Sequence, residues 1–302
     1  MSEFRSGFVS ILGRPNAGKS TLLNALVGAK IAIVADKPQT TRTAIQGVWT
    51  GTGAQIVFVD TPGIHQAQSA IGKRMMESVR ASVEQRDLLL YLVDLTQRPG
   101  EADREAVGML SHSSSPALLV ANKVDLLENR EQVLPVIDFF RNLHPFKDFL
   151  PICSLADADI AKLRDRIVLE LPQGPAYFPP DHLTDQPARF LAGEIVREKI
   201  LRETRQEVPH SVIVLVDKWE ESDRLVRIFA TIYVERDGQK AIIIGSQGAT
   251  LKTIGAAARA ELEELLSMPV YLDLFVKVQS NWREKPSFLN ALDWRTMAGR
   301  DD

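Results

Sequence analysis

Eight consecutive residues near the N-terminus have the types and spacing of a phosphate-binding loop. Gly13-Arg14-Pro15-Asn16-Ala17-Gly18-Lys19-Ser20 fits the pattern G-x-x-x-x-G-K-[ST] with no mismatch. The two glycines let the backbone turn tightly, so that successive N–H groups point at one phosphate. Lys19 could reach the β- and γ-phosphates, and Ser20 could place its hydroxyl on Mg²⁺. The pattern predicts a nucleoside triphosphate site that extends to Thr21.

A polar segment interrupted by proline follows, Lys37-Pro38-Gln39-Thr40-Thr41-Arg42-Thr43. An exposed loop would have this composition. After a phosphate-binding loop, however, such a segment is expected to close over a γ-phosphate and to place a threonine hydroxyl on Mg²⁺. Thr40 and Thr41 are both candidates, and Thr41 is favoured.

A second set of candidates, Asp60-Thr61-Pro62-Gly63, follows an apolar strand predicted over residues 55–59. An acid at this place lies at the carboxyl edge of the sheet, where open α/β folds bind ligands. Asp60 could hold Mg²⁺ through a water molecule, and the Gly63 N–H could meet the γ-phosphate.

A third set, Asn122-Lys123-Val124-Asp125, ends the strand predicted over residues 117–120. The Asp125 carboxylate could accept hydrogen bonds from guanine N1–H and from its exocyclic amine, whereas adenine offers neither donor there. The Lys123 stem could cover the base, and Asn122 could tie this loop to the phosphate loop. The set predicts a preference for GTP.

The motifs GRPNAGKS, KPQTTR, DTPGIH and NKVD together resemble the Era family of GTPases. The resemblance implies a fifth signature, Ser-Ala, whose backbone contacts guanine. The corresponding stretch here places Ser154 and Leu155, so leucine stands where alanine is expected. Ile64 stands where Ras-type enzymes carry a water-orienting glutamine, so we expect slow unaided hydrolysis. In similar GTPases the asparagine at the position of Asn16 helps a K⁺ ion to bind beside the phosphates.

Composition and hydrophobic patterning are those of a soluble chain of about two domains. Of 302 residues, 45% are hydrophobic and 25% charged, and the net charge is −3. The single cysteine, Cys153, excludes an internal disulfide. No signal peptide or membrane-spanning run is predicted. We predict an α/β P-loop NTPase domain of the Ras-like type, with a mostly parallel sheet, over residues 1–172.

A stretch with five prolines, residues 173–187 together with Pro172, predicts a linker. Residues 188–205 predict an amphipathic helix, residues 208–218 and 224–235 a β-hairpin, and residues 270–278 a last strand. Between them stands Gly245-Ser246-Gln247-Gly248, a G-x-x-G loop followed by a helix. This order is that of an α+β type II KH domain over residues 188–302, in which the loop lets about four single-stranded nucleotides approach.

Charge favours a local RNA-binding patch over a generally basic domain. Residues 183–302 hold 17 Lys and Arg against 19 Asp and Glu, a net charge of −2. Ser246 and Gln247 are neutral, so weaker phosphate attraction and a shallower salt dependence are expected. The candidate RNA-binding residues outside the loop are Lys240, Lys252, Arg259, Lys277, Trp282, Arg283 and Lys285.

The resemblance implies a GTP-hydrolysing protein that uses Mg²⁺ and binds the 3′ end of small-subunit ribosomal RNA during assembly of the 30S-type subunit. It implies a monomer in the cytoplasm, with peripheral contact at the inner face of the cell membrane. Two alternatives stay open: an RNA-binding assembly factor that only senses GTP, and a P-loop kinase. A kinase would need an acceptor-binding lid, whereas residues 122–125 fit guanine recognition.

Overall fold

The computed structural model describes residues 4–37, 39–64, 69–84, 86–204 and 208–296, and the chain forms two compact units. The first unit contains residues 1–32, 41–68 and 72–185, and the second contains residues 33–40, 69–71 and 186–302. The division at residues 185 and 186 falls inside the predicted linker. Residues 33–40 are grouped with the second unit although they precede most of the first in the chain.

The first unit is built on a six-stranded sheet. Its strands are β1 (Arg5–Gly13), β2 (Ile45–Gly51), β3 (Ala54–Asp60), β4 (Leu88–Asp94), β5 (Ala117–Asn122) and β6 (Asp148–Ile152). Their order is β2-β3-β1-β4-β5-β6, and all pairs are parallel except β2 with β3. Because parallel strands end at the same edge, the motifs after β1, β3 and β5 are brought to one place.

Helices cover both faces of this sheet. They are α1 (Lys19–Val27), α2 (Ala70–Val83), α3 (Glu101–Gly108), α4 (Val133–Arg141) and α5 (Asp157–Glu170). Along β4, Leu88, Leu90 and Leu92 pack into one core with α1 and α5, and the intervening residues pack into a second core with α2, α3 and α4. Strand β4 is therefore apolar from Leu88 to Val93, as burial on both sides requires.

The proline-rich segment lies along the first unit up to residue 185. The buried Gln55 side chain accepts the N–H groups of Tyr177 and Phe178 at 2.7 and 3.0 Å and donates to the Phe178 carbonyl at 2.9 Å. The Val48 N–H donates to the carbonyl of Leu183 at 2.8 Å. The prolines thus belong to an extended segment whose polar groups are paired with the sheet edge.

The second unit has a three-stranded sheet, ordered β7-β8-β9, with helices on one face. Its elements are α6 (Ala188–Glu203), α7 (Val208–Ser211), β7 (Ile213–Ser222), β8 (Leu225–Val234), α8 (Asp237–Ile244), α9 (Ala249–Leu266), β9 (Val270–Val278) and α10 (Pro286–Ala291). Strand β8 is antiparallel to β7 and parallel to β9. Its inward residues Ile228, Ala230 and Ile232 share a core with α6 and α9. This is the predicted KH arrangement.

Two elements differ from the sequence prediction. Residues 208–211 form a short helix, where the hairpin was expected to begin already at residue 208. Helix α8 was not predicted as a separate element; the Gln239 side chain accepts the N–H groups of Glu235 and Arg236 at 2.9 and 3.1 Å and so caps its start. Across the described ranges, no helix is long and apolar enough to cross a lipid bilayer.

Candidate functional site

The phosphate loop connects the end of β1 to the start of α1. Gly13 and Gly18 have φ angles of +147° and +97°, which side-chain-bearing residues rarely adopt. A Cβ atom on Gly18 would also lie 2.5 Å from Asn122 Nδ2. No side chain caps the N-terminus of α1, so its first N–H groups remain available to an anion.

The Lys19 side chain is held by carbonyl oxygens of the phosphate loop. Its Nζ donates to the carbonyl oxygens of Gly13 and Arg14 at 3.1 and 2.9 Å. The side chain is almost fully buried, and this burial lowers its pKa from 10.5 to about 8, against the opposing charge of Asp60. A triphosphate would supply the negative charge that this buried ammonium lacks.

Three oxygen-bearing side chains meet beside Lys19. Ser20 Oγ lies 2.7 Å from Thr41 Oγ1 and 2.7 Å from Asp60 Oδ2. The other carboxylate oxygen, Asp60 Oδ1, is buried and has no hydrogen-bond partner. Burial raises the pKa of Asp60 to about 6, with Lys19 and the two hydroxyls opposing. A water molecule bound to a small hard cation would satisfy the orphaned oxygen, so this donor set fits Mg²⁺.

Thr40 does not join this group of oxygens. Its hydroxyl donates to the carbonyl oxygens of Lys37 and Ala35 at 2.6 and 3.2 Å. The geometry therefore favours Thr41 over Thr40 as a metal ligand. Pro38, in the middle of the predicted segment, lies outside the described residues.

The turn after β3 lies against the phosphate loop. A Cβ atom on Gly63 would lie 2.7 Å from the Pro15 nitrogen, so only glycine fits here. Thr61 turns inward and donates to the Ile11 carbonyl at 2.8 Å, which gives it a structural role. The Ile64 N–H donates to the Gly13 carbonyl at 3.1 Å, and its side chain packs into the core. His65, the last residue of the motif DTPGIH, lies outside the described residues.

Asn122 joins three loops at the sheet edge. Its Nδ2 donates to the Ala17 carbonyl at 2.9 Å, and its Oδ1 accepts the N–H and the hydroxyl of Ser154 at 3.1 and 2.8 Å. Lys123 has a φ of +69°, and its Nζ reaches Asp94 at 2.7 Å and the Asn16 carbonyl at 3.1 Å. Ser154 therefore orients the Asn122 side chain through two hydrogen bonds. The Lys123 stem extends toward the phosphate loop.

Cys153 is a site residue that the sequence analysis missed. Burial raises the pKa of its thiol, and the nearby carboxylate of Asp125 raises this pKa further. Asp125 is exposed, as a residue that reads an incoming base must be. The side chain of Leu155 is 79% exposed and points away from the core. The available signal was position: Cys153 stands directly before Ser154 at the end of β6.

Two further residues of the phosphate loop differ in their surroundings: Arg14 is paired with another element, and Asn16 is exposed. Arg14 forms an ion pair with Asp103 of α3 at 3.0 Å, which anchors it to the scaffold. Asn16 is exposed with a φ of +62°, so its side chain is accessible to solvent where K⁺ is predicted.

The G-x-x-G loop lies between α8 and α9. Gly245 and Gly248 have φ angles of +72° and +78°. A Cβ atom on Gly245 would collide with Thr250, whereas nothing lies within 4 Å of one on Gly248. Ser246 and Gln247 between them are not buried. Open space beside Gly248 leaves room for a nucleic acid backbone.

Most of the basic residues predicted to bind RNA are accessible to solvent, but the predicted RNA-binding residue Trp282 is not. Lys252, Arg259 and Lys277 are exposed and Lys240 is half-buried, and none has an ion pair within the described ranges. Arg283 is paired with Glu235 at 2.5 Å. The prediction that Trp282 contacts RNA is wrong: its side chain is fully buried, and its indole N–H donates to the Ser211 carbonyl at 2.8 Å.

Two family models match separate parts of the chain. A family model described as "50S ribosome-binding GTPase" matches residues 8–123, and one described as "KH domain" matches residues 207–283. The first range contains the phosphate loop, residues 60–63 and Asn122. The second contains the G-x-x-G loop.

Two curated relatives match over nearly the whole chain. The GTPase Era of Geobacter metallireducens is 51% identical, with 97% of this chain and 99% of that protein covered. The GTPase Era of Geotalea daltonii is 47% identical, with 95% and 97% covered.

Two crystal structures are similar over both domains. One is Era in complex with MgGDPNP and nucleotides 1506–1542 of 16S ribosomal RNA, and the other is an Aquifex aeolicus Era variant bound to GDP and AlF4⁻. Each has a TM-score of 0.92 at 39% identity and covers 96% of this chain and 99% of the other. The chain therefore belongs to the Era family of GTPases, with a P-loop GTPase domain followed by a KH domain.

Proposed function

We propose that this protein binds and hydrolyses GTP with Mg²⁺ and binds the 3′ end of small-subunit ribosomal RNA during assembly of that subunit. The observation that carries the enzymatic part is the meeting of the Ser20, Thr41 and Asp60 oxygens within 2.7–3.4 Å of one another beside Lys19. Asn122 ties the loop that bears Asp125 to the same phosphate loop.

Each side chain has a distinct task in this reaction. Ser20 and Thr41 would hold Mg²⁺ directly and Asp60 through a water molecule. The bound ion would neutralise charge on the phosphate oxygens during attack by water. Lys19 would exchange the carbonyl oxygens of Gly13 and Arg14 for the β- and γ-phosphates. Asp125 would select guanine.

Slow unaided turnover follows from Ile64. Its apolar side chain is packed into the core, so it offers no group that could orient the attacking water.

K⁺ beside Asn16 would supply positive charge next to the phosphates. We expect faster phosphate release in KCl than in NaCl at equal ionic strength, and equal rates would remove K⁺ from the proposal.

The RNA-binding part is supported by the KH domain and by the related Era structure that contains 16S ribosomal RNA. The RNA would approach Gly248, with Lys240, Lys252, Arg259 and Lys277 as phosphate-binding residues. Arg283, paired with Glu235, would need to release that partner first. We infer a cytoplasmic monomer, with peripheral contact at the inner face of the membrane, from the family resemblance.

Calorimetry of nucleotide binding tests the proposed site. MgGTP should bind to the wild-type protein, and MgATP should bind at least about 100-fold more weakly. Ser20→Ala should abolish or greatly weaken MgGTP binding while leaving the unfolding temperature near that of the wild type. Equal affinity for MgGTP and MgATP, or wild-type affinity in the Ser20→Ala variant, would contradict the assignment.

A further inference from the structure

Residues 33–40 form a segment that is built into the second unit. Ile33 is 3% exposed and belongs to that unit's core, with Ala35 packed against it. The segment ends at Thr40, and the next residue is Thr41, whose hydroxyl lies 2.7 Å from Ser20 Oγ. The backbone that carries the expected metal ligand is therefore anchored one residue earlier.

Two adjacent side chains of α6 hold the two ends of this segment. Glu198 Oε1 accepts the Val34 N–H at 2.8 Å. Arg197 Nη2 donates to the Thr40 carbonyl oxygen. Both side chains are buried, with residue exposures of 0% and 1% for Glu198 and Arg197. These bonds are made to the backbone, so they fix where the segment lies.

A buried charge network surrounds these two residues. Arg197 Nε donates to Glu194 at 2.7 Å, and Glu198 Oε2 accepts from Lys199 at 2.8 Å. Lys199 also contacts Glu261 of α9, and Arg202 lies 3.2 Å from Glu198. The network therefore links the 33–40 segment to the helix that follows the G-x-x-G loop.

Such a network is a poor means of stabilising a fold. Burying charged groups costs desolvation energy that apolar side chains of similar volume would avoid. Among the described residues, Arg197 Nη1 has no hydrogen-bond partner, although it is buried. The burial of Arg197 at this cost in desolvation energy is better explained by the position that it imposes on the Thr40 carbonyl.

We propose that Arg197 and Glu198 are positioning residues that couple the nucleotide site to the RNA-binding domain. They act through the backbone: the carbonyl held by Arg197 belongs to the peptide bond whose nitrogen is that of Thr41. RNA that favours one arrangement of α6 and α9 would favour one placement of Thr41. By linkage, RNA and GTP must then change each other's affinity by the same factor. This inference rests on the proposed function.

The test measures coupling in the full-length chain. The affinity for a non-hydrolysable GTP analogue with Mg²⁺ is measured with and without RNA of the sequence of nucleotides 1506–1542 of 16S ribosomal RNA. In the wild type, RNA should tighten analogue binding by about 5- to 150-fold. Arg197→Met, which keeps the volume but removes the donors, should bring this factor to about one. Arg197→Lys, which can still donate to the Thr40 carbonyl, should recover part of it.

Arg166→Met is the matched control, because it is the same substitution at an arginine whose ion pairs, with Asp148 and Glu170, involve no residue of this network. It should lower the unfolding temperature and keep the coupling factor. A wild-type factor in the Arg197→Met variant, or loss of the factor in the Arg166→Met variant, would overturn the inference. So would a wild-type protein that binds both ligands without coupling. Failure of the wild type to bind either ligand would instead reject the proposed function.

Hydrogen exchange of the wild-type protein gives a second readout, and it does not depend on any variant being folded. With Mg²⁺ and the GTP analogue present, adding the same RNA should slow amide exchange in a peptide that covers residues 33–40, since the Val34 N–H is held by Glu198. Unchanged exchange in that peptide, while peptides of the G-x-x-G loop become protected, would overturn the inference.

Discussion

Thr40 and Thr41 have the same side chain but face different surroundings. The Thr40 hydroxyl is satisfied by carbonyl oxygens of its own segment, and the Thr41 hydroxyl lies among Ser20 and Asp60. The sequence named both candidates and favoured Thr41, but it could not decide between them, because the choice depends on the backbone direction at residues 40 and 41.

The two threonines provide a matched pair of variants. Thr41→Ala should lower MgGTP affinity by about 10- to 100-fold, since it removes a ligand to a charged centre. Thr40→Ala should change it by less than about 3-fold. Titration calorimetry across a range of Mg²⁺ concentrations measures both. A larger loss for Thr40→Ala than for Thr41→Ala would reverse the assignment.

The lowered pKa of Lys19 predicts proton uptake on nucleotide binding. Burial depresses the pKa to about 8, so at pH 8 about half of the nucleotide-free protein carries a neutral Lys19. The phosphates favour the charged form and raise that pKa, so binding at pH 8 should take up about half a proton. At pH 6.5 Lys19 is already charged and contributes none. Calorimetry in buffers of different ionisation enthalpy gives the number, and a pH-independent value would contradict the expected role.

Asp125 should determine the choice of base. In Asp125→Asn the amide supplies a donor that suits the extra carbonyl of xanthine, so xanthosine triphosphate should become the preferred nucleotide by about 100-fold or more. Cys153→Ser, which replaces the neighbouring thiol by a hydroxyl, is the control and should keep the preference for guanine. Competition binding measures both. Retained guanine preference in Asp125→Asn would exclude this residue as the base reader.

At the level of elements, the strands and motif positions were readable from the sequence. Buried parallel strands such as β4 are continuous apolar runs, and each ends where a polar motif begins. Two other features were not readable from the sequence. Helix α8 depends on the Gln239 cap, and the burial of Trp282 depends on a hydrogen bond to Ser211, 71 residues away. An aromatic residue beside basic ones indicates RNA binding only when the fold leaves it exposed.

The G-x-x-G loop offers a sharper test than replacing both glycines. Gly245 has no room for a Cβ atom, so substitution there would disturb the fold, whereas Gly248 faces open space. Gly248→Asp should weaken RNA binding by at least about 10-fold, because a carboxylate repels phosphate. Gly248→Asn has the same size, tolerates a positive φ and lacks the charge, so it should weaken binding less. Equal losses in an RNA-binding assay would show that charge at the loop is immaterial.

At the level of the whole molecule, the sequence predicted two domains but not how residues 33–40 are shared. Their composition gives no sign that Glu198 and Arg197, more than 150 residues later, hold their backbone. Likewise, the prolines of residues 173–187 predicted a linker, and the buried Gln55 shows that much of it is packed on the first unit. Such long-range pairings are set by tertiary structure, which local patterns do not encode.

The proposed function requires above all that this site hydrolyses GTP. The most direct measurement is single-turnover release of phosphate from Mg²⁺-bound GTP in KCl, with ATP and the Ser20→Ala variant as references. We predict slow release from GTP by the wild-type protein, at least about 100-fold less from ATP, and none above background with Ser20→Ala. Tight binding of GTP without phosphate release would contradict the claim and would leave a protein that only senses the nucleotide.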